Sequence, residues 1–223
     1  MVYKMKEDIL EQIAEDFFNN KKGFFTKHNI KFRPVYTDTD YDSKADSVHS
    51  DIDLIALSIQ ENSKLYAVSC KSWQGGYNAT KSLDEIENAI KKQPGKTKGE
   101  RDYWCLFREL CIKKWRDSFL RAIRLETNKQ ENEPIDLEYW ILCTKITLRS
   151  VENKDKISSS QALLDFFKEK NVDLKIKVIT IDELIDQIKK SIENKETPSV
   201  ETTHFSRTLQ LIIASGYKIS KDK

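Results

Sequence analysis

Ser50-Asp51-Ile52-Asp53-Leu54-Ile55-Ala56-Leu57, followed after the polar turn Gln60-Glu61-Asn62-Ser63-Lys64 by Leu65-Tyr66-Ala67-Val68-Ser69-Cys70-Lys71-Ser72-Trp73, decides the fold. Both runs are strand-like, and the turn between them makes a β-hairpin with an acid on one arm and a lysine on the other. Side chains alternate along an extended chain, so Asp51 and Asp53 are expected on one face of the first arm, and Ser69 and Lys71 on one face of the second. An ammonium among Leu65, Ala67, Val68 and Cys70 is costly to bury unless a carboxylate or an anionic substrate meets it. The alternative is a strand-end lysine whose head reaches water.

Outward from the hairpin, Leu10, Ile13, Ala14, Phe17 and Phe18 recur at the three-and-four spacing of a buried stripe and predict a helix over Glu7 to Asn20. Gly23 is placed to cap it in a left-handed conformation, and a strand is expected over Phe24 to Val35. Downstream, Gly75-Gly76 breaks the chain, and Ser82 with Glu85 reads as a capping box opening a helix to Lys92. Leu137 to Thr147 reads as a strand covered on both sides, Ser158 to Lys170 as a helix, Leu174 to Ile179 as a strand, and Thr180 to Asn194 as a helix. Strands alternating with helices argue for an α/β fold, a mixed β-sheet flanked by helices.

The hairpin resembles the core of the PD-(D/E)xK nuclease superfamily, in which an acid on one strand and an acid-x-Lys on the next hold a divalent metal beside the scissile phosphate. Asp53 matches the metal-binding acid, and Ser69-Cys70-Lys71 occupies the acid-x-Lys slot, with Ser69 where Asp or Glu is usual. The Mrr-like restriction branch places a glutamine there. Leu10-Glu11-Gln12-Ile13-Ala14 with Lys22-Gly23-Phe24 looks like the first helix of Mrr-like nucleases, whose glutamate, matched by Glu11, reaches the metal. Glu7, Glu11 and Glu15 also repeat every four residues, as a solvated face does. The resemblance covers about residues 5 to 193.

That resemblance implies a restriction-endonuclease-like fold and a metal-dependent endonuclease hydrolysing DNA phosphodiester bonds with Mg2+ or Mn2+. Asp53, Glu11 and the backbone carbonyl of Cys70 would hold the ion, with Asp51 in reserve. Lys71 would orient the attacking water, Ser69 would bond a metal-bound water, and Gln74 would position water or touch DNA. Because Ser69 leaves one carboxylate fewer, the alternative is a catalytically inactive nuclease-fold protein that binds DNA or docks on a subunit.

A basic excess lies between Lys91 and Arg124, although the chain of 223 residues carries a formal net charge of only +2. Trp104, Phe107, Leu110, Trp115, Phe119 and Ile123 interleave with it at helical spacing, as one long amphipathic helix or two shorter ones. A basic face over an aromatic core suits a phosphate backbone, which assigns Lys113, Lys114, Arg116 and Arg121 to DNA; an ordinary solvated face is the competing reading. The segment is expected as a helical insertion, about 94–130, in a nuclease-like domain spanning 1–194. A polar linker and an apolar tail, 195–223, would pack on the body or on a second subunit as a homodimer.

No run approaches the ~18 apolar residues of a membrane span, and the charged start lacks a signal peptide's apolar middle, so a cytoplasmic protein off the membrane is expected. Cys70, Cys105, Cys111 and Cys143 form no Cys-x-x-Cys pair, against a zinc site or disulfide framework. No phosphate-cradling glycine loop occurs, and His28, His49 and His204 have no nucleophile-elbow context. His49 shares strand parity with Asp51 and Asp53.

Overall fold

The computed structural model describes residues 9–21, 23–38, 40–60, 64–92, 106–193, 207–209, 211–212 and 215. Expectations for Glu7, Lys22, residues 94–105 of the insertion with Trp104 and Cys105, His204 and most of the linker and tail 195–223 lie outside them. Helix α1 spans Ile9–Asn19; strands β1, β2 and β3 span Phe24–Phe32, Ser50–Ser58 and Leu65–Lys71. Helices α2 (Ala79–Lys92), α3 (Arg108–Cys111) and α4 (Lys113–Thr127) precede β4 (Ile135–Cys143); α5 (Gln161–Lys168), β5 (Val172–Thr180) and α6 (Ile181–Glu193) complete the domain.

The strands form one five-stranded sheet in the order β1-β2-β3-β4-β5. The first two ladders are antiparallel and the last two parallel, so the sheet is mixed and flanked by helices on both faces, in the manner of nuclease-like α/β folds. One face carries Leu54, Ala56, Tyr66, Val68, Trp140 and Leu142 against α1 and α6, with Leu209 of the tail also buried there. The other carries Ile55, Leu65, Ala67, Leu137, Tyr139 and Ile141 against α2, α3, α4 and α5. Burial of this many large apolar side chains on two faces supplies the main driving force for folding.

Local readings differ from the sequence expectation at several elements, and one is decided between its alternatives. Helix α2 begins at Ala79, not near Ser82, because the Asn78 side-chain oxygen accepts the Lys81 backbone N–H and acts as the cap. Strand β4 stops at Cys143; beyond it only Ile146 bridges, to Tyr77. Of the two alternatives for the basic segment, the two shorter helices are observed, because Ile112 is extended (φ −117°, ψ 120°) between α3 and α4. Helix α5 starts only at Gln161, after short 3-10 turns over Leu148–Asn153 and Ile157–Ser159. β1 ends at Phe32 rather than Val35. Gly23 is left-handed as read, with φ 78°, and Glu183 accepts the Thr180 N–H at 2.9 Å to open α6.

Strand parity fails at one place. Ile52 belongs to the cluster under α2–α5, yet Leu54, two residues on, belongs to the cluster under α1 and α6. The β1–β2 ladder pairs His28 with Leu54 and Ile30 with Ile52 and skips Asn29 and Asp53 between them. On β1, Asn29 sits there at φ 54°, a left-handed conformation that reverses which face the next residues of that strand present. On β2 the change of face between Ile52 and Leu54 separates Asp51 from Asp53, contrary to the alternation argument, and Asp51 is exposed.

Candidate functional site

Asp53 lies at this irregularity in β2, and its Oδ2 accepts the backbone N–H of Cys70 at 2.6 Å. That bond ties the two arms of the hairpin together where the ladder is disturbed. On β3, Ser69 and Lys71 continue the row Leu65, Ala67 toward α2 and α3, and Lys71 donates from Nζ to Ser69 Oγ at 2.7 Å. The aliphatic stem and head of Lys71 run beside Phe107, whose ring centroid is 5.5 Å from Nζ. The carboxylate-free slot at Ser69 is thus occupied by a hydroxyl that holds the lysine.

Two residues that sequence reading left out of the site stand next to it. Glu109, from α3, is buried, and Tyr139, from β4, donates its hydroxyl to Glu109 Oε1 at 2.6 Å. Ser69 lies on the same face of β3, two residues from Ala67, the register partner of Tyr139, and together with the charges of Asp53 and Glu109 it acts on the tyrosine hydroxyl. Burial pushes the Glu109 carboxyl above its ordinary range, against the opposing pull of the Tyr139 hydroxyl, Lys71 and Arg108. Burial also raises Tyr139, with the neighbouring Glu109 adding to it. Glu109 carried a signal in the sequence: it interrupts the apolar run Leu106, Phe107, Leu110, Cys111, the same anomaly that singled out Lys71. Tyr139 carried none, because a tyrosine in a continuous apolar run looks like any core aromatic.

The remaining sequence candidates are scattered. Glu11 is half-buried in the first turn of α1, which packs on the opposite face of the sheet from Ser69 and Lys71. Among the described residues no three His, Cys, Asp or Glu side chains gather into a metal-holding group, so Asp53, Glu11 and Asp51 do not converge as one. Gln74 is exposed in the turn after β3, beside Trp73, which is 42% exposed.

The basic segment is largely absorbed by the fold. Arg116 is fully buried: its guanidinium bonds Asp117, Glu169 and the Phe166 carbonyl and stacks 4.1 Å over the Phe166 ring. It cannot reach a phosphate, which corrects its assignment to DNA. Lys114 bonds Asp46 at 2.7 Å and the Asp40 carbonyl at 3.1 Å, and Arg121 bonds Asp38 at 2.8 Å. These bonds clamp α4 onto the β1–β2 connection, while Lys113 is exposed.

A scan against protein-family models matches none. Searches of curated proteins and of solved structures likewise return no match.

Proposed function

We propose that this chain is a DNA-binding protein built on a nuclease scaffold of the PD-(D/E)xK, Mrr-like kind, with Lys71 as its phosphate contact. The observation that carries the reading is the setting of Lys71: a half-buried ammonium at the C-terminal end of β3, bonded to a neutral hydroxyl where the scaffold usually holds an acid. In α/β sheets ligands bind outside the carboxyl ends of the parallel strands, and β3 and β4 are parallel neighbours ending together at Lys71 and Cys143. Exposed Trp73 and Gln74 follow directly, offering a stacking surface and an amide beside the cation.

The donor set falls short of a three-ligand metal site among the described residues. A second reading, metal-dependent cleavage of the DNA backbone, is favoured by one observation: the Asp53 carboxylate is tied to the strand that carries Ser69 and Lys71 through the Cys70 N–H at 2.6 Å. Magnesium commonly takes one or two carboxylates and keeps several waters, so Asp53 would be its first protein ligand.

Binding of a labelled duplex across a salt series, with supercoiled plasmid incubated in parallel with Mg2+ or Mn2+, tests both readings. DNA binding with intact plasmid, and an affinity at least ~10-fold weaker in Lys71→Ala, a loss in the range of one charge-assisted contact, is the expected result. Nicked or linear plasmid from wild type but not from Asp53→Asn would establish cleavage instead. No binding at low salt would end both.

A further inference from the structure

Four side chains from three elements form a line at this site: Lys71 and Ser69 on β3, Tyr139 on β4 and Glu109 on α3. Lys71 has only donors, so Nζ–H donates to Ser69 Oγ at 2.7 Å. The Ser69 hydroxyl, engaged as acceptor by the ammonium, has its proton left for the neighbouring strand, where Tyr139, the register partner of Ala67, stands on the same face and donates in turn to Glu109 Oε1 at 2.6 Å. Every link then points the same way, from the cation to a buried acceptor. Chains of this kind strengthen each member by polarisation, and a buried member without its partner is costly.

We propose that Tyr139 and Glu109 are positioning residues for Lys71, which set the Ser69 hydroxyl so that the ammonium is held at the mouth of the site for a phosphate oxygen. This rests on the DNA-binding reading for its ligand, but the chain of bonds is testable without it. Glu109 and Tyr139 touch no ligand; they act through Ser69. Reversal of the Ser69 hydroxyl would leave its proton facing the ammonium, a repulsive arrangement, and Lys71 would swing out along the flexible strand end. The acceptor at the far end prevents that reversal, which accounts for a carboxyl side chain buried at α3 beside Tyr139.

The test is acylation of surface amines by a limiting amount of amine-selective reagent, with Lys71 and the exposed Lys27 in the same molecule compared by peptide mass spectrometry. Tyr139→Phe and Glu109→Leu should raise the Lys71-to-Lys27 ratio at least ~3-fold, because the released ammonium spends more time in solvent. Glu109→Gln, whose amide oxygen still accepts from Tyr139, should stay at the wild-type ratio, a rescue that a merely space-filling role would not produce. Circular dichroism melts establish that each variant is folded; if Glu109→Leu is not, Tyr139→Phe, which keeps the ring, carries the comparison alone. A wild-type ratio in folded Tyr139→Phe overturns the proposal. Duplex affinity is measured on the same proteins: if the ratio moves as expected while Lys71→Ala binds DNA like wild type, the chain of bonds stands and the DNA-binding reading falls.

Discussion

Two buried glutamates on opposite faces of β4 show how one residue type takes opposite electrostatic roles. Glu138 faces α1 and α6 and is 1% exposed, yet it accepts from Lys64 at 2.6 Å, Lys177 at 2.6 Å and Trp140 Nε1 at 2.8 Å. Burial alone would raise its carboxyl; the bonds from Lys177, Lys64 and Trp140 overcome this and hold it below the ordinary range. A lowered carboxyl stabilises the fold above the unfolded value of about 4.3 and loses that contribution as pH falls through the folded value. Glu138→Gln should therefore cost about 2 kcal/mol at pH 7, toward the low side for a broken buried ion pair, because Lys177 is more than half exposed and can turn to water. Urea melts should show the deficit closing as the pH is taken below about 4. Glu109 has the reverse sign: its carboxyl is raised, so its contribution is complete below the unfolded value and is lost as pH rises through the folded one. Stability of Glu109→Gln relative to wild type should accordingly improve as pH rises from 5 toward 9, read from the same melts.

At the scale of elements, α4 shows why charge counted along a chain misleads about charge presented at a surface. Its apolar side packs Trp115 and Phe119 on Phe32 of β1, and its basic side is held by Asp38, Asp46 and Glu169 rather than by solvent. Arg124 extends the same pattern, donating to the carbonyls of Gln130, Glu133 and Lys170. Arg116→Ala is expected to cost about 3 kcal/mol of stability, the size of breaking a buried ion pair, with the salt dependence of DNA binding unchanged. Lys113→Gln should do the opposite: stability within about 0.5 kcal/mol of wild type and, if the helix lies against DNA, a salt slope flatter by roughly one unit. Equal slopes in the two variants and wild type would mean that DNA reaches Lys71 without touching α4.

For the molecule as a whole, the connections after β1, β3 and β4 come together at one end of the sheet, since Phe32 pairs with Ser50 and Lys71 with Cys143. Trp73 is exposed at that end, whereas Trp115 and Trp140 are buried in the two cores. Duplex binding should therefore quench tryptophan fluorescence in wild type and leave it nearly unquenched in Trp73→Phe, without a shift in melting temperature. Quenching that persists in Trp73→Phe would place the DNA elsewhere. Among the described residues no helix is long and apolar enough to cross a membrane.

The hairpin, the stripe of α1, the left-handed Gly23 and the mixed α/β order were legible in the sequence because each depends on the local period of side chains and on turn chemistry. Lys71 and Ser69 were legible as neighbours for the same reason: two residues apart on one strand, they must share a face. Parity could not reveal that the β1–β2 ladder would skip Asn29 and Asp53, with Asn29 at φ 54°, and put Ile52 and Leu54 on opposite faces, since that depends on pairing between strands. Nor could it reveal that Arg116 and Lys114 would be claimed by Glu169 and Asp46, or that Glu109 would accept the Tyr139 hydroxyl. Those contacts join residues 30 to 68 positions apart. Only packing of α3 and α4 against the sheet brings them within bonding distance, and burial then makes each of those bonds obligatory.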